Sequence, residues 1–316
     1  MAITVALAGD TMLGRNVAEA LSAGPPESLV APEVVEAAGK ADLFVLNLEC
    51  CISERGSRWP DPRKPFFFRA PPAAVDLLVH LGVDCVTLAN NHALDYGEDA
   101  LLDTLAHLAA GGIAAVGAGE NLVQARLPVV LEAGGFRLGI VGLADHPAEY
   151  AARPDRPGIA YANLGREPAP EWACDVDADA ILVTPHWGPN MTAAPLPHVR
   201  ASATALVEAG ATLVAGHSAH VFHGVAGRVL YDLGDFLDDY AVDGALRNDL
   251  GLLFLVELGP EGPVGLEAMP LKLEHCHTRL AEGADAEWIR RRLRRACALL
   301  GTEVIEEDGL LNIPLH

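Results

Sequence analysis

The chain has 316 residues, 51% of them hydrophobic, with 22 Lys and Arg against 43 Asp and Glu and a formal charge of −21. This size and apolar content suit one large domain or two intimately packed ones, with ample material for a core. The charge excludes a nucleic-acid binder, which needs a cationic face, and disfavours docking on an anionic membrane, while leaving room for a local cationic pocket.

Met1 leads straight into Ala-Ile-Thr-Val, which is already strand-like. There is no basic and apolar leader pattern, and no run approaches the ~18 apolar residues of a membrane span. A soluble, cytoplasmic protein is expected. Its six cysteines, Cys50 and Cys51 adjacent among them, lack metal-ligand spacing and read as buried thiols.

Residues 3–8 form the first predicted strand, which closes on Gly9-Asp10 and turns through Gly14-Arg15 into a helix over 17–21. Pro25-Pro26 breaks that helix, and Pro32 opens a short one through 38. Residues 43–48 are the second strand, closing on Glu49. Residues 51–65, rich in Arg, Gly and Pro, read as a surface loop, and 66–71 return to the core. A helix over 72–81 stops at Gly82. The apolar run after Asp84 ends abruptly on Asn90, Asn91 and His92. An amphipathic helix over 97–108 buries Leu101, Leu102, Leu105 and Leu108. A strand follows at 114–116, then a hairpin, 127–132 with 136–141, around Gly134-Gly135. The proline-rich stretch 145–179 is either a functional loop or a poorly ordered one. Residues 181–184 are a strand closing on His186, and 199–209 a helix. Strands at 213–215 and 229–233 flank a segment that carries His217 and His220. A last hairpin, 250–257 with 264–273, precedes a basic helix over 288–300, whose arginines are expected to pair with the acidic tail. No linker or repeat divides the chain, so 1–316 is taken as one mixed α/β domain.

Five strands thus end on residues able to bind a ligand. Taken singly, each has a plainer explanation: Asp10 as a helix cap, Asn90-Asn91 as a turn, any one histidine as packing. Their coincidence points to metal, because in open α/β sheets ligands collect beyond the strand ends. Asp10, Glu49, Asn91, His186, His217 and His220 are the candidate ligands. Carboxylate, amide and imidazole together suit Mn, Fe, Zn or Co better than an all-oxygen cage. One or two such ions, a pair lying ~3.5–4 Å apart under a shared carboxylate, would activate a water and clamp an oxyanion. His92 would protonate a leaving group. Arg15 and Arg69 would hold an anionic substrate through paired donors.

The motifs Gly9-Asp10-Thr11-Met12-Leu13-Gly14-Arg15, Asn47-Leu48-Glu49, Asn90-Asn91-His92-Ala93-Leu94-Asp95-Tyr96-Gly97, His186-Trp187-Gly188, Gly216-His217-Ser218-Ala219-His220 and Leu233-Gly234-Asp235-Phe236 occur in that order. Together they resemble the CapA/PgsA poly-γ-glutamate capsule biosynthesis family, a branch of the calcineurin-like metallophosphoesterases. The resemblance runs from about 3 to 240, with 241–316 completing the fold. It implies a four-layer α-β-β-α sandwich of two mixed sheets. It also implies that Asp10 is the first ligand and that Glu49 stands where a bridging aspartate is usual. Asn91 and His92 match a ligand and proton-donor pair, His186 an isolated ligand, and His217 with His220 the closing pair. Met12 occupies a position usually held by a histidine ligand. Asp95 lies three residues after His92 rather than one. Asp235 stands where Asn is frequent.

These features imply a metal-dependent hydrolase that uses metal-activated water on a phosphoester or on an amide of an acidic peptide such as poly-γ-glutamate. Two alternatives stand beside it. One is a metal-dependent epimerase tailoring a ribosomal peptide, with His92 and His186 as its bases. The other is a non-catalytic accessory binding protein. The expected partner is a small anionic or peptide substrate, without nucleic acid or membrane, and the sequence assigns no oligomeric state.

Overall fold

The computed structural model describes residues 2–307 and 310–314. Four parallel strands lie side by side from the middle of a first sheet to one edge: β1 (Ile3–Thr11), β2 (Leu43–Leu48), β3 (Cys85–Thr87) and β4 (Ala114–Val116). β2 is Leu-Phe-Val-Leu-Asn-Leu, apolar almost throughout, as a strand covered on both faces must be.

The second sheet follows in sequence. β5 (Val129–Ala133) and β6 (Phe136–Ala144) are the expected hairpin. β7 (Ala180–His186) runs parallel to β6, β8 (Leu213–Ala215) parallel to β7, and β9 (Val229–Leu230) parallel to β8. Strand pairing in β9 stops at Leu230, short of the expected 233, because the chain leaves to cross back. It rejoins the first sheet as β10 (Asp235–Leu237), then β11 (Leu250–Gly259) and β12 (Gly262–Glu274), whose antiparallel hairpin lies along β1. The tail adds strands Ile305–Glu307 and Leu310–Pro314 at the far edge, the second of them paired to β12.

Side-chain parity explains the layering. Ile3, Val5, Leu7, Leu43, Val45, Phe254 and Val256 turn toward Leu138, Ile140, Leu182 and Leu213 of the second sheet. Ala6, Ala8, Phe44 and Leu46 turn the other way, onto α1 (Arg15–Ala23), α2 (Pro32–Ala38), α3 (Ala74–His80) and α4 (Glu98–Ala110). The outer face of the second sheet, Val141, Leu143, Val183 and Val214, packs on α5 (Pro197–Glu208) through Val199, Ala203 and Leu206. The result is the four-layer α-β-β-α sandwich of two mixed sheets. Helix α6 (Gly283–Ala298) inserts Ile289, Leu293 and Cys297 beside the layer between the sheets. On its outer side, Arg290 and Arg294 pair with Glu306 of the tail.

One expectation needs correction, and one open alternative is narrowed. Residues 51–65 are not wholly a surface loop: Cys51–Ile52 is buried and pairs in parallel with Arg69–Ala70. The 145–179 stretch is ordered as two 3-10 turns and a short strand, Gly158–Ile159, and buries Tyr150. Its prolines hide any period, but they hold it against the body of the molecule. No helix among the described residues is long and apolar enough to cross a membrane.

Candidate metal centre

The parallel strands of both sheets deliver their carboxyl ends to one place. β1 reaches it through a bulge, since its pairing with β2 shifts between Ala8 and Asp10. Gly9 is required there: a Cβ would lie 1.8 Å from the Gly234 carbonyl oxygen. That same carbonyl accepts the Asp10 N–H at 2.8 Å. Asp10 is thereby turned inward, 1% exposed, and its Oδ1 accepts from Asn47 Nδ2 at 2.7 Å. Asn47 Oδ1 accepts in turn from Asn90 Nδ2 at 2.9 Å, and Asn90 Oδ1 takes the His92 N–H at 3.0 Å. Glu49 follows β2 directly and is fully buried.

The second sheet supplies imidazoles. His186 and His217 sit at the ends of adjacent strands, joined by a backbone bridge, with their Nδ1 atoms 2.8 Å apart. His217 Nδ1 is 3.8 Å from Asp10 Oδ1. His220, at φ +58° in the following loop, brings Nδ1 to 3.2 Å from Asp10 Oδ2 and 3.9 Å from Glu49 Oε2. Two overlapping triads result, Asp10–His186–His217 and Asp10–Glu49–His220, each with donor atoms within 4.8 Å of one another. Asp10, rather than Glu49, is the carboxylate common to both.

The donors fit a divalent cation. Glu49 Oε1, Asn91 Oδ1, His186 Nε2 and His217 Nε2 are buried without a hydrogen-bond partner. Each such orphan costs about 1–3 kcal/mol, a cost that coordination would remove. Electrostatics agree. Burial first, and then the Asp10 charge, push Glu49 well above the usual carboxylate range. Burial pushes Asp10 up as well, yet the His220 hydrogen bond and charge, with His217 and Asn47, bring it below. Burial keeps His186 well below its ordinary value and lowers His217 to about 4. Both are therefore neutral, as ligands must be. His220 goes the other way: burial opposes its charge, but Asp235, Glu49 and Asp10 outweigh that and hold it well above.

His92 stands beside the cluster, its ring stacked on Phe68 at 4.0 Å. Its Nδ1 is 2.6 Å from Asp95 Oδ2, which also accepts the Phe68 N–H at 2.6 Å. Asp95 Oδ1 takes Lys64 Nζ at 2.9 Å and the Tyr150 hydroxyl at 3.3 Å. Lys64 donates also to the Asn91 carbonyl at 2.8 Å. Burial lowers His92 to about 4 against the pull of Asp95. The neutral ring then gives its Nδ1–H to Asp95 and leaves Nε2 free to exchange a proton.

The two arginines already have protein partners. Arg15 is bound by Asp239 and lies over Phe66, Phe68 and Tyr240. Arg69 rests on the Tyr96 ring at 4.2 Å and donates to the Arg55 carbonyl. Met12 faces the helix-side core, its Sδ accepting from the Gly14 N–H. Lys64 and Tyr150 carry no signal beyond their residue type, and Asn47 lies in the Asn47-Leu48-Glu49 motif without a role assigned to it. A further pair, Asp145 and His146, was equally silent. Its Oδ1 and Nδ1 are 2.5 Å apart, the Gly188 N–H fixes Asp145, and the His146 ring centroid lies 5.1 Å from that of His186.

Known proteins bear on this geometry. Residues 4–240 match the family described as bacterial capsule synthesis protein PGA_cap. A "probable polyglutamine synthesis accessory protein" of Mycobacterium tuberculosis is 36% identical over 299 residues, covering 86% of this chain and 77% of that protein. The "capsule biosynthesis protein CapA" of Bacillus anthracis is 27% identical over 328 residues, covering 99% and 78%. Among solved structures, a hypothetical protein from Thermus thermophilus superposes with a TM-score of 0.46 at 18% identity, over 85% of this chain and 99% of that one.

Proposed function

The chain belongs to the bacterial capsule synthesis protein PGA_cap family, and from that membership we propose that it is a metal-dependent hydrolase of a phosphoester or of an amide in an acidic peptide such as poly-γ-glutamate. The supporting observation is the convergence of Asp10, Glu49, His186, His217 and His220 from two sheets, with buried donor atoms, that of Asn91 included, left unpartnered. These residues would hold a divalent cation, which would supply Lewis-acid charge and an activated water at that place. His92 protonates the leaving group from Nε2, after the anionic substrate has favoured its charged form. Asp95 fixes the ring orientation and stabilises the imidazolium, and Lys64, Tyr150 and the Phe68 N–H keep Asp95 in place. Phe68 covers His92 and excludes water from the transfer.

The test is turnover of bis-p-nitrophenyl phosphate and of poly-γ-glutamate by metal-stripped protein and by protein reloaded with Mn²⁺ or Zn²⁺. Cleavage that tracks bound ion supports the proposal. Loaded protein that cleaves neither substrate removes it.

A second reading has its own support. A peptide epimerase needs a proton-exchanging group on each side of a Cα. His186 does not suit that role, since it lies within a triad of metal-type donors. His146, paired with Asp145 and supplied by the other sheet from His92, suits it better. Deuterium uptake into a peptide from heavy water, without cleavage, would favour this reading.

A further inference from the structure

The two triads share Asp10 but not their chemistry. One adds two imidazoles, His186 and His217, with the orphaned Asn91 Oδ1 in the neighbouring loop. The other adds Glu49 and His220, and a further carboxylate stands against it. Asp235 opens β10, where it is the direct register partner of Asp10 on β1. It is 1% exposed, and its Oδ1 lies 2.8 Å from His220 Nδ1. Three carboxylates therefore converge on that single nitrogen: Asp235 at 2.8 Å, Asp10 at 3.2 Å and Glu49 at 3.9 Å.

A carboxylate that merely orients a histidine needs one oxygen for the task, and its other oxygen ordinarily meets water or a donor. Asp235 Oδ2 is buried and meets no protein donor, and the same holds for Oδ2 of nearby Asp238, itself 6% exposed. Nearby side-chain cations are committed elsewhere: Arg15 to Asp239 and Lys64 to Asp95. Buried carboxylates left with one imidazole among them lack the positive charge that would balance them.

We propose that Asp235 is a third carboxylate ligand of the cation site built by Asp10, Glu49 and His220, so that the centre holds two unlike ions. The oxygen-rich site prefers Mn²⁺, a harder ion suited to carboxylates. The imidazole-rich site of His186 and His217 prefers Zn²⁺. This rests on the metal reading above and adds a ligand and a selectivity to it.

The experiment uses the full chain, stripped of metal and titrated with Mn²⁺ followed by electron paramagnetic resonance and with Zn²⁺ followed by calorimetry. Wild-type protein given both ions should hold one of each. Asp235→Asn keeps an oxygen to accept from His220 Nδ1, so an orienting role survives the change while the charge is lost. The expected result is an Mn²⁺ affinity lower by more than about 100-fold, beyond the ~10–100-fold that losing a mere orienting partner of a ligand costs; a loss within that smaller range would make Asp235 only the partner of His220 and would overturn the proposal. Zn²⁺ binding should stay within about twofold, which also reports that the variant is folded. Should Asp235→Asn fail to fold, Asp235→Glu displaces the carboxylate by one methylene and is read the same way. Unchanged Mn²⁺ affinity would show that Asp235 is not a ligand and would overturn the proposal. Equal loss of both ions would overturn the claim that the sites differ. A wild-type chain that binds no ion would remove the metal reading itself, which separates that failure from this one.

Discussion

The two sheets contribute opposite halves of one site. The first supplies the carboxylates Asp10 and Glu49 and the neighbouring His92, Asp10 and His92 being linked through the side chains of Asn47 and Asn90. The second supplies nitrogen donors, His186 and His217, held by backbone contacts across adjacent strand ends. Neither half suffices as a cage. The difference shows that the centre exists only when the sheets are packed on each other, so cation binding reports on the whole sandwich rather than on one layer.

Removing Asp10, which both halves share, should break that comparison most severely. Asp10→Asn keeps the shape but loses the common charge, so both ions should leave, and turnover should fall by at least about 10³-fold, the several kcal/mol that a Lewis-acid ion supplies. Elemental analysis beside the rate measurement checks this. A smaller effect, confined to the oxygen half, should follow from His92→Gln. Its kcat should drop by roughly 10²–10⁴-fold, as for a lost general acid, with ion content unchanged. A matching loss of metal would instead make His92 a ligand.

The smallest effect sharpens the contrast through pH. His217 sits near 4 in the folded protein, below its ordinary value of 6.5, because it is buried. Between those values the unfolded chain binds the extra proton, so this contribution to stability is complete above 6.5 and declines as pH falls toward 4. At about 1.4 kcal/mol per pH unit, the metal-free protein should lose about 3 kcal/mol to this residue. Glu49 has the reverse sign: its raised value favours the fold at low pH and costs stability as pH rises. Denaturant melts of metal-free wild-type and His217→Gln protein across this range should show a flatter acid limb in the variant. Parallel limbs would mean that His217 is not held neutral.

Much of this was legible because strand ends are local. The hydrophobic runs of β1, β2, β7 and β8 stop where a polar residue begins, and that boundary can be read without knowing what it faces. The supporting residues were not legible for the same reason. Lys64 lies in a charged stretch that reads as solvent-exposed, and only the fold brings it 2.9 Å from Asp95, 31 positions away. Tyr150 sits in a proline-rich segment without period, and its partner is again Asp95. Arg15 and Arg69 show the same limit, since a guanidinium beside a ligand motif does not reveal the carboxylate or ring it packs against in the fold. Asp235 stood out as a residue type, but its nearness to Asp10 depends on β10 lying parallel to β1, a pairing between segments more than two hundred residues apart.

The contact at Gly9 has a wider meaning. With the Gly234 carbonyl only 1.8 Å from where a Cβ would stand, main chain rests on main chain, and the spacing between the Asp10 and Asp235 backbones is set by peptide geometry alone. The two carboxylates therefore start from a fixed frame, and a change of side chain at either position alters the donor without moving the backbone that carries it.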